Sequence, residues 1–230
     1  MPLPAFQLLE KKIEKQIRLF ELKRGAIEKK IGTHIRRFEE KNRNRLDDEV
    51  RFIRSWIEKP LSIGAVTPSS RALARAMAAY VDPDIKGPVI ELGPGTGPVT
   101  EALVAQGIDP ARLILLEFDP TFCRLLRQRY PAATVVQGDA YSLKRVLGSH
   151  LAEPAAAVVS GLPLFTKPLK TRLKLLYEAF ALMLPGAPFV QFTYATIAPI
   201  PKALDRVRSE ASERIWMNIP PARIWVYRKD

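Results

Sequence analysis

Two hydrophobic rhythms divide the chain. In residues 4–45, Phe6, Leu9, Ile13, Ile17, Phe20, Ile27, Ile31, Ile35 and Phe38 recur at steps of three, four or seven. At about 100° per residue they fall within an arc of roughly 80°, the stripe of one amphipathic helix or of two collinear ones, because the phase survives Gly25. Residues 39–49 mix charges with almost no apolar positions and predict a hinge or a solvated helix end. A second apolar face, Val50, Phe52, Ile53, Trp56 and Ile57, stops at Pro60. Beyond it, short apolar runs alternate with helical patterns. The runs predict strands at 88–92, 112–117, 133–137, 156–160, 188–194, about 213–218 and 223–228. The intervening patterns predict helices at 98–106, 120–130, about 141–148 and 168–184, and another at 71–80 that Ser69 or Ser70 is placed to cap. Four strands alternating with helices imply a parallel, doubly wound sheet. The last two strands are separated only by Ile219-Pro220-Pro221-Ala222, too short for a crossover, so they must run antiparallel.

The chemistry concentrates at the end of the first strand, in Val89-Ile90-Glu91-Leu92-Gly93-Pro94-Gly95-Thr96-Gly97. Alternate glycines let the backbone turn tightly and let a ligand approach without a Cβ in the way. A dinucleotide loop has the spacing G-x-G-x-x-G; here it is G-x-G-x-G, with Glu91 two residues ahead. This Glu-x-Gly-x-Gly-x-Gly loop resembles the cofactor loop of class I S-adenosylmethionine-dependent methyltransferases. The resemblance implies that Gly93, Gly95 and Gly97 line the cofactor and that Glu91 faces the ammonium of its methionine moiety, often through water. A glycine-rich turn in another α/β protein is the plainer alternative. Leu113-Ile114-Leu115-Leu116-Glu117 is a buried-strand pattern ending in an acid, where such a fold needs a carboxylate for the ribose hydroxyls. Val135-Val136-Gln137-Gly138-Asp139-Ala140 ends a third strand with an aspartate that can accept from an adenine amine; alone, Asp139 reads equally as a solvated turn residue. A capped helix N-terminus facing the glycine loop suits a cofactor carboxylate and makes Thr67 and Ser69 candidate contacts; a plain loop with an N-cap accounts for them as well.

Composition narrows the partners. The 230 residues are 47% hydrophobic and carry a net charge of +12, which points to nucleic acid or to an acidic membrane surface. Residues 1–38 hold ten Lys/Arg against four Glu, and a basic amphipathic helix suits a membrane surface; a coiled-coil or hairpin arm and a helix packed on its own core remain alternatives. The single Cys123 excludes an internal disulfide and reads as a packing residue, and no metal cluster is apparent. No signal-peptide core is present and no uncharged apolar run approaches the ~18 residues of a membrane span. The expectation is a cytoplasmic protein, peripheral on the inner face of the cell membrane.

A wider resemblance covers about residues 50–228. Ser55-Trp56-Ile57-Glu58-Lys59-Pro60, Gly64-Ala65-Val66-Thr67-Pro68-Ser69, the loop from Glu91 to Gly97, Gly138-Asp139-Ala140, Leu162-Pro163-Leu164 and Pro220-Pro221-Ala222-Arg223-Ile224-Trp225-Val226-Tyr227-Arg228 resemble bacterial phospholipid N-methyltransferases. The resemblance implies methylation of phosphatidylethanolamine towards phosphatidylcholine with S-adenosylmethionine as donor, no nucleic acid and no metal. It implies a class I methyltransferase Rossmann-like sheet with an antiparallel C-terminal hairpin in residues 50–230; the membrane-docking arm expected in residues 1–49 rests on the basic amphipathic pattern and not on the resemblance. Enzymes that methylate adenine amines carry Asn/Asp-Leu/Pro-Pro-aromatic after the fourth strand; here Ser160-Gly161 stands in place of the Asn/Asp, with Pro163 retained. An rRNA adenine N6-dimethyltransferase is the alternative, with a nearly identical glycine loop; a degenerate methyltransferase domain on a membrane protein is a third reading. Ser160, Tyr141 and Tyr194 lie on the edge where the acceptor belongs, the two rings able to hold a methylated ammonium by cation–π attraction; aromatic packing at a sheet edge is the alternative for each ring. Arg223 is a candidate phosphate ligand; a surface arginine is the alternative.

Overall fold

The computed structural model describes Thr33 and residues 68–201, 204–218 and 221–230. The expected arm, the 50–57 apolar face and Thr67 lie outside the described residues. The elements run α1 (Pro68–Ala78), β1 (Val89–Leu92), α2 (Pro98–Ala105), β2 (Leu113–Glu117), α3 (Pro120–Arg129), β3 (Thr134–Gln137), α4 (Leu143–Leu147), β4 (Ala157–Ser160), α5 (Leu169–Phe180), β5 (Phe189–Thr193), β6 (Val207–Ala211) and β7 (Arg223–Lys229).

These strands form one seven-stranded sheet in the order β3-β2-β1-β4-β5-β7-β6. The first five are parallel; β7 runs antiparallel to β5, and β6 antiparallel to β7. This is the expected doubly wound sheet with an antiparallel terminal pair. The inner strands read as continuous apolar runs because both faces are covered. Their side chains alternate between two cores. Val89, Leu113, Leu115, Val159, Val190, Ile224 and Val226 pack with Leu73 and Met77 of α1, Leu103 of α2 and Leu126 of α3. Ile90, Leu92, Ile114, Leu116, Val158, Phe189, Trp225 and Tyr227 pack with Leu143 and Leu147 of α4 and with Leu175, Leu176 and Ala179 of α5. Cys123 is buried among these layers, with its thiol 3.6 Å from the Glu117 carbonyl.

Two sequence expectations need correction. The sixth strand is at Val207–Ala211, not at 213–218. It is an edge strand in which only Val207 is buried, so it carries almost no apolar signal, and its charged positions suit an edge that must not recruit another chain. The apolar Ile215, Trp216 and Met217 instead make the turn into β7. The helix expected over 168–184 ends at Phe180, and Ala155 takes up the Leu182 and Leu184 backbone groups that follow.

Candidate cofactor and acceptor site

Parallel strands carry their ligands beyond their carboxyl ends, and there the sequence motifs meet. Gly93, Gly95 and Gly97 all have positive φ, at 68°, 57° and 85°. Gly93 donates its N–H to the Leu116 carbonyl at 2.9 Å, tying the loop to β2. A Cβ on Gly95 would meet nothing within 4 Å, so this face of the loop is open to a ligand. Gly97 starts α2, and Pro98 at its first turn removes an N–H that no helical carbonyl could satisfy.

Glu91 is 2% exposed, and its Oε2 accepts from the Thr100 hydroxyl at 2.7 Å. Burial pushes its carboxyl up to about 7; the Thr100 bond opposes this and the charge of Glu117 adds to it. A buried acid at the edge of ionisation suits a cationic ligand group, whose arrival would favour the carboxylate.

Glu117 is held from three sides. Its Oε2 accepts from Gly95 N–H at 3.0 Å. Its Oε1 accepts from Phe118 N–H at 2.8 Å and Asp119 N–H at 2.9 Å. A carboxylate offers about four lone-pair sites, so in this geometry Oε2 keeps room for a ribose hydroxyl. Phe118 follows with its ring 74% exposed, an aromatic surface beside the acid on which an adenine can stack. Gly138 is required by packing, since a Cβ there would sit 2.7 Å from Val146 Cγ1. Asp139 is exposed and accepts from Tyr141 N–H at 2.9 Å through Oδ1, leaving Oδ2 for another donor. α1 begins at Pro68, so Ser69 and Ser70 lie inside its first turn and do not cap it as expected; the Ser69 side chain is outside the described residues. Taken together, the open glycine loop, the buried Glu91 and the oriented Glu117 fit S-adenosylmethionine: a cationic amino acid, a ribose and an adenine.

The acceptor side is built around the loop after β4. Gly161 donates to the Leu92 carbonyl at 2.8 Å, and a Cβ on it would lie 2.9 Å from the Gly93 carbonyl oxygen. Ser160 is fully buried, its hydroxyl 3.4 Å from Leu162 N–H. The Leu162 carbonyl accepts from Leu164 N–H at 2.9 Å and from the Gln191 side-chain amide at 3.0 Å. Gln191 stands directly beside Ser160 in the β4–β5 register. Its Nε2 also donates to Phe192 O, while its buried Oε1 finds no partner among the described residues. Arg172 of α5, 2% exposed, lies over the Phe165 ring at 5.1 Å and donates to the Pro199 carbonyl.

The structure separates the two candidate tyrosines. Tyr141 packs on the α4–α5 core, Tyr194 on the opposite core, edge-to-face with Phe192 at 5.4 Å. Lys167 Nζ already sits 5.0 Å from the Tyr141 ring centroid. Burial raises the Tyr141 hydroxyl, and that hydroxyl has no partner among the described residues. Arg223 pairs with Thr193 at the same edge, its guanidinium 6.0 Å from the Trp225 ring and its buried Nε without a partner among the described residues. Thr100, Gln191 and Arg172 were not singled out in the sequence; their roles depend on contacts 9, 29 and 27 residues away. Among the described residues no group of three His, Cys, Asp or Glu side chains is placed to hold a metal ion, and no helix is long and apolar enough to cross a membrane.

No family model matches the chain. The O-methyltransferase from Bacillus cereus in complex with SAH superposes with a TM-score of 0.55 at 13% identity, over 81% of this chain and 91% of that one; the likeness is one of fold, the class I methyltransferase fold. The ribosomal RNA small subunit methyltransferase A of a Synechococcus strain is 34% identical over 94 residues, 39% of this chain but only 29% of its own length. The ornithine lipid N-methyltransferase of Singulisphaera acidiphila is 33% identical over 145 residues, which are 62% of this chain and 76% of that protein. The chain belongs to the same methyltransferase family as this lipid-modifying relative.

Proposed function

We propose that the protein transfers methyl groups from S-adenosylmethionine to the primary amine of a membrane lipid, with phosphatidylethanolamine as the acceptor. When bound, S-adenosylmethionine supplies a methyl group on a positively charged sulfur, so no metal and no covalent enzyme intermediate is needed. The chain's part is to hold donor and acceptor in line at near-attack distance. Glu91, with Thr100 behind it, faces the methionine ammonium. Glu117 faces the ribose and also fixes the glycine loop through Gly95 N–H. Asp139 Oδ2 faces the adenine amine. Arg223 is offered as the ligand of the lipid phosphate. Ser160, Tyr141 and Tyr194 border the place of the amine, and Lys167 lies over the Tyr141 ring.

The observation that carries the choice of acceptor is the backbone contact of Gly161 with Gly93. A nucleobase amine is held by an asparagine or aspartate side chain and a backbone carbonyl on this loop. Here the loop leaves no space for a Cβ at Gly161, and the Leu162 carbonyl is already engaged by Gln191 and Leu164. Support for a lipid comes from the relative, an ornithine lipid N-methyltransferase. We further propose that residues 1–49 form a membrane-docking arm and residues 50–230 the methyltransferase domain, working at the inner face of the cell membrane.

The test is transfer of radiolabel from S-adenosylmethionine to phosphatidylethanolamine, to ornithine lipid and to rRNA offered separately. Label in phosphatidylethanolamine is the expected result. Label in ornithine lipid alone moves the acceptor to an amino-acid head group, and label in rRNA alone overturns the lipid reading.

A further inference from the structure

The turn between β6 and β7 presents Trp216 and Met217 to solvent at 72% and 75% exposure. These two large apolar side chains are neighbours in sequence, and the structure holds them there. Ile215 N–H donates to the Ala222 carbonyl at 2.8 Å, and Asn218 N–H returns to the Ile215 carbonyl at 3.2 Å. The two bonds make a tight turn whose two central residues are Trp216 and Met217. Ile215 points inward and packs on the α1–α3 core, and Asn218 is 3% exposed. The turn is thus anchored at both ends, with its tip bare.

Strand direction sets where this tip lies. β7 is antiparallel to β5, and Arg223 pairs with Thr193, the last residue of β5. The start of β7, and the turn that leads into it, therefore lie at the same sheet edge as the glycine loop, Glu117 and the Ser160 loop. Arg214 stands with its guanidinium 5.9 Å from the Trp216 ring. Arg223 lies at the base of the same hairpin; Glu213 is the one acid between Ser212 and Arg223.

We propose that the Trp216–Met217 turn inserts into the interface of an anionic bilayer and points the acceptor side of the site at the lipid head groups. The proposal rests on the reading of the substrate as a membrane lipid. An indole ring with a cationic neighbour matches the boundary between acyl chains and acidic head groups, and the chain's net charge of +12 favours the same surface. The occupant is an acidic bilayer and not a protein groove, because the two exposed apolar side chains sit at a turn tip flanked by the basic Arg214 and Arg223.

The experiment uses the full-length protein and vesicles of equal parts phosphatidylglycerol and phosphatidylethanolamine, with and without bromine on the acyl chains. In a Trp56→Phe background the only indoles are Trp216 and the buried Trp225. Emission is expected to fall on brominated vesicles, and to lose that response when Trp216→Ala is added. Trp216→Ala with Met217→Ala should weaken vesicle affinity about tenfold, with thermal midpoint and S-adenosylmethionine affinity unchanged. Binding without quenching of Trp216, unchanged affinity in the double variant, or no vesicle binding at all overturns the proposal. So does a dimer of this chain that the double variant dissociates. Methyl transfer to detergent-dispersed lipid is measured in parallel. Quenching without transfer defeats the lipid-acceptor reading alone, and transfer without quenching defeats the docking turn alone.

Discussion

Glu117 and Gly95, 22 residues apart, meet through a 3.0 Å hydrogen bond from the glycine N–H to Oε2. The acid proposed to face the ribose is therefore also the strut of the glycine loop. Glu117→Ala removes an acceptor from three backbone amides as well as from the cofactor. A charge-assisted bond contributes about 1.5–3 kcal/mol, so S-adenosylmethionine should bind roughly ten- to a hundredfold more weakly. Titration calorimetry checks this, and unchanged affinity would remove Glu117 from the site.

Glu91 in its proposed role should make cofactor binding sensitive to pH. Its carboxyl is raised from 4.5 to about 7, chiefly by burial, so in the free protein it is largely protonated below pH 7. If the cofactor ammonium draws the carboxylate form, binding below pH 7 releases a proton, and affinity should fall by up to about tenfold per pH unit. Glu91→Gln should flatten that dependence. The stability of the free protein runs in a defined direction too. The raised group contributes stability that is fully present below pH 4.5 and is lost as pH rises through about 7. The change is on the order of 3 kcal/mol at most, and thermal melts of Glu91→Gln should not show it.

Gly161→Asn restores the side chain that nucleobase methyltransferases use, but places a Cβ 2.9 Å from the Gly93 carbonyl oxygen. Backbone must move to relieve it. The expected outcome is at least tenfold weaker S-adenosylmethionine binding and a lower thermal midpoint, with no gain of methylation on adenine. A stable variant that binds the cofactor normally would show that the two loops separate easily.

Deleting residues 1–38 removes ten Lys/Arg and four Glu. Sedimentation with acidic vesicles should drop steeply and lose most of its salt dependence, since each basic residue near an acidic leaflet adds about 1 kcal/mol at best. Cofactor affinity should be unchanged, because Glu91, Glu117 and the glycine loop lie elsewhere. Full sedimentation of the truncated protein would move the docking surface onto the core.

The inner strands were legible because burial on both faces leaves almost only apolar side chains, as in Val89–Leu92 and Leu113–Glu117. Within such runs an acid stands out, which is why spacing, together with the family resemblance, drew attention to Glu91 and Glu117. β6 was not legible, since an edge strand with one buried residue has the composition of a loop. Nor was Gln191: its position in β5 is visible, but its bond to the Leu162 carbonyl depends on the pairing of β4 with β5. The separation of Tyr141, in the turn after β3, from Tyr194, just past β5, onto opposite cores likewise follows from tertiary packing, which motif spacing does not convey.

The place of β7 between β5 and β6 bears on how the chain is made. β6 leaves the ribosome before β7, yet among the described strands of the finished sheet it pairs with β7 alone. It must therefore wait, unpaired, for a strand not yet synthesised. β7 also supplies Trp225 and Tyr227 to one core and Ile224 and Val226 to the other, so neither layer closes until it arrives. Until then the nascent chain shows an open β5 edge flanked by unfinished apolar surfaces, the kind of intermediate that aggregates or is held by chaperones. Stalling translation between β6 and β7 should yield a protease-sensitive, aggregation-prone species, and release of the next strand should lock both layers in one cooperative step.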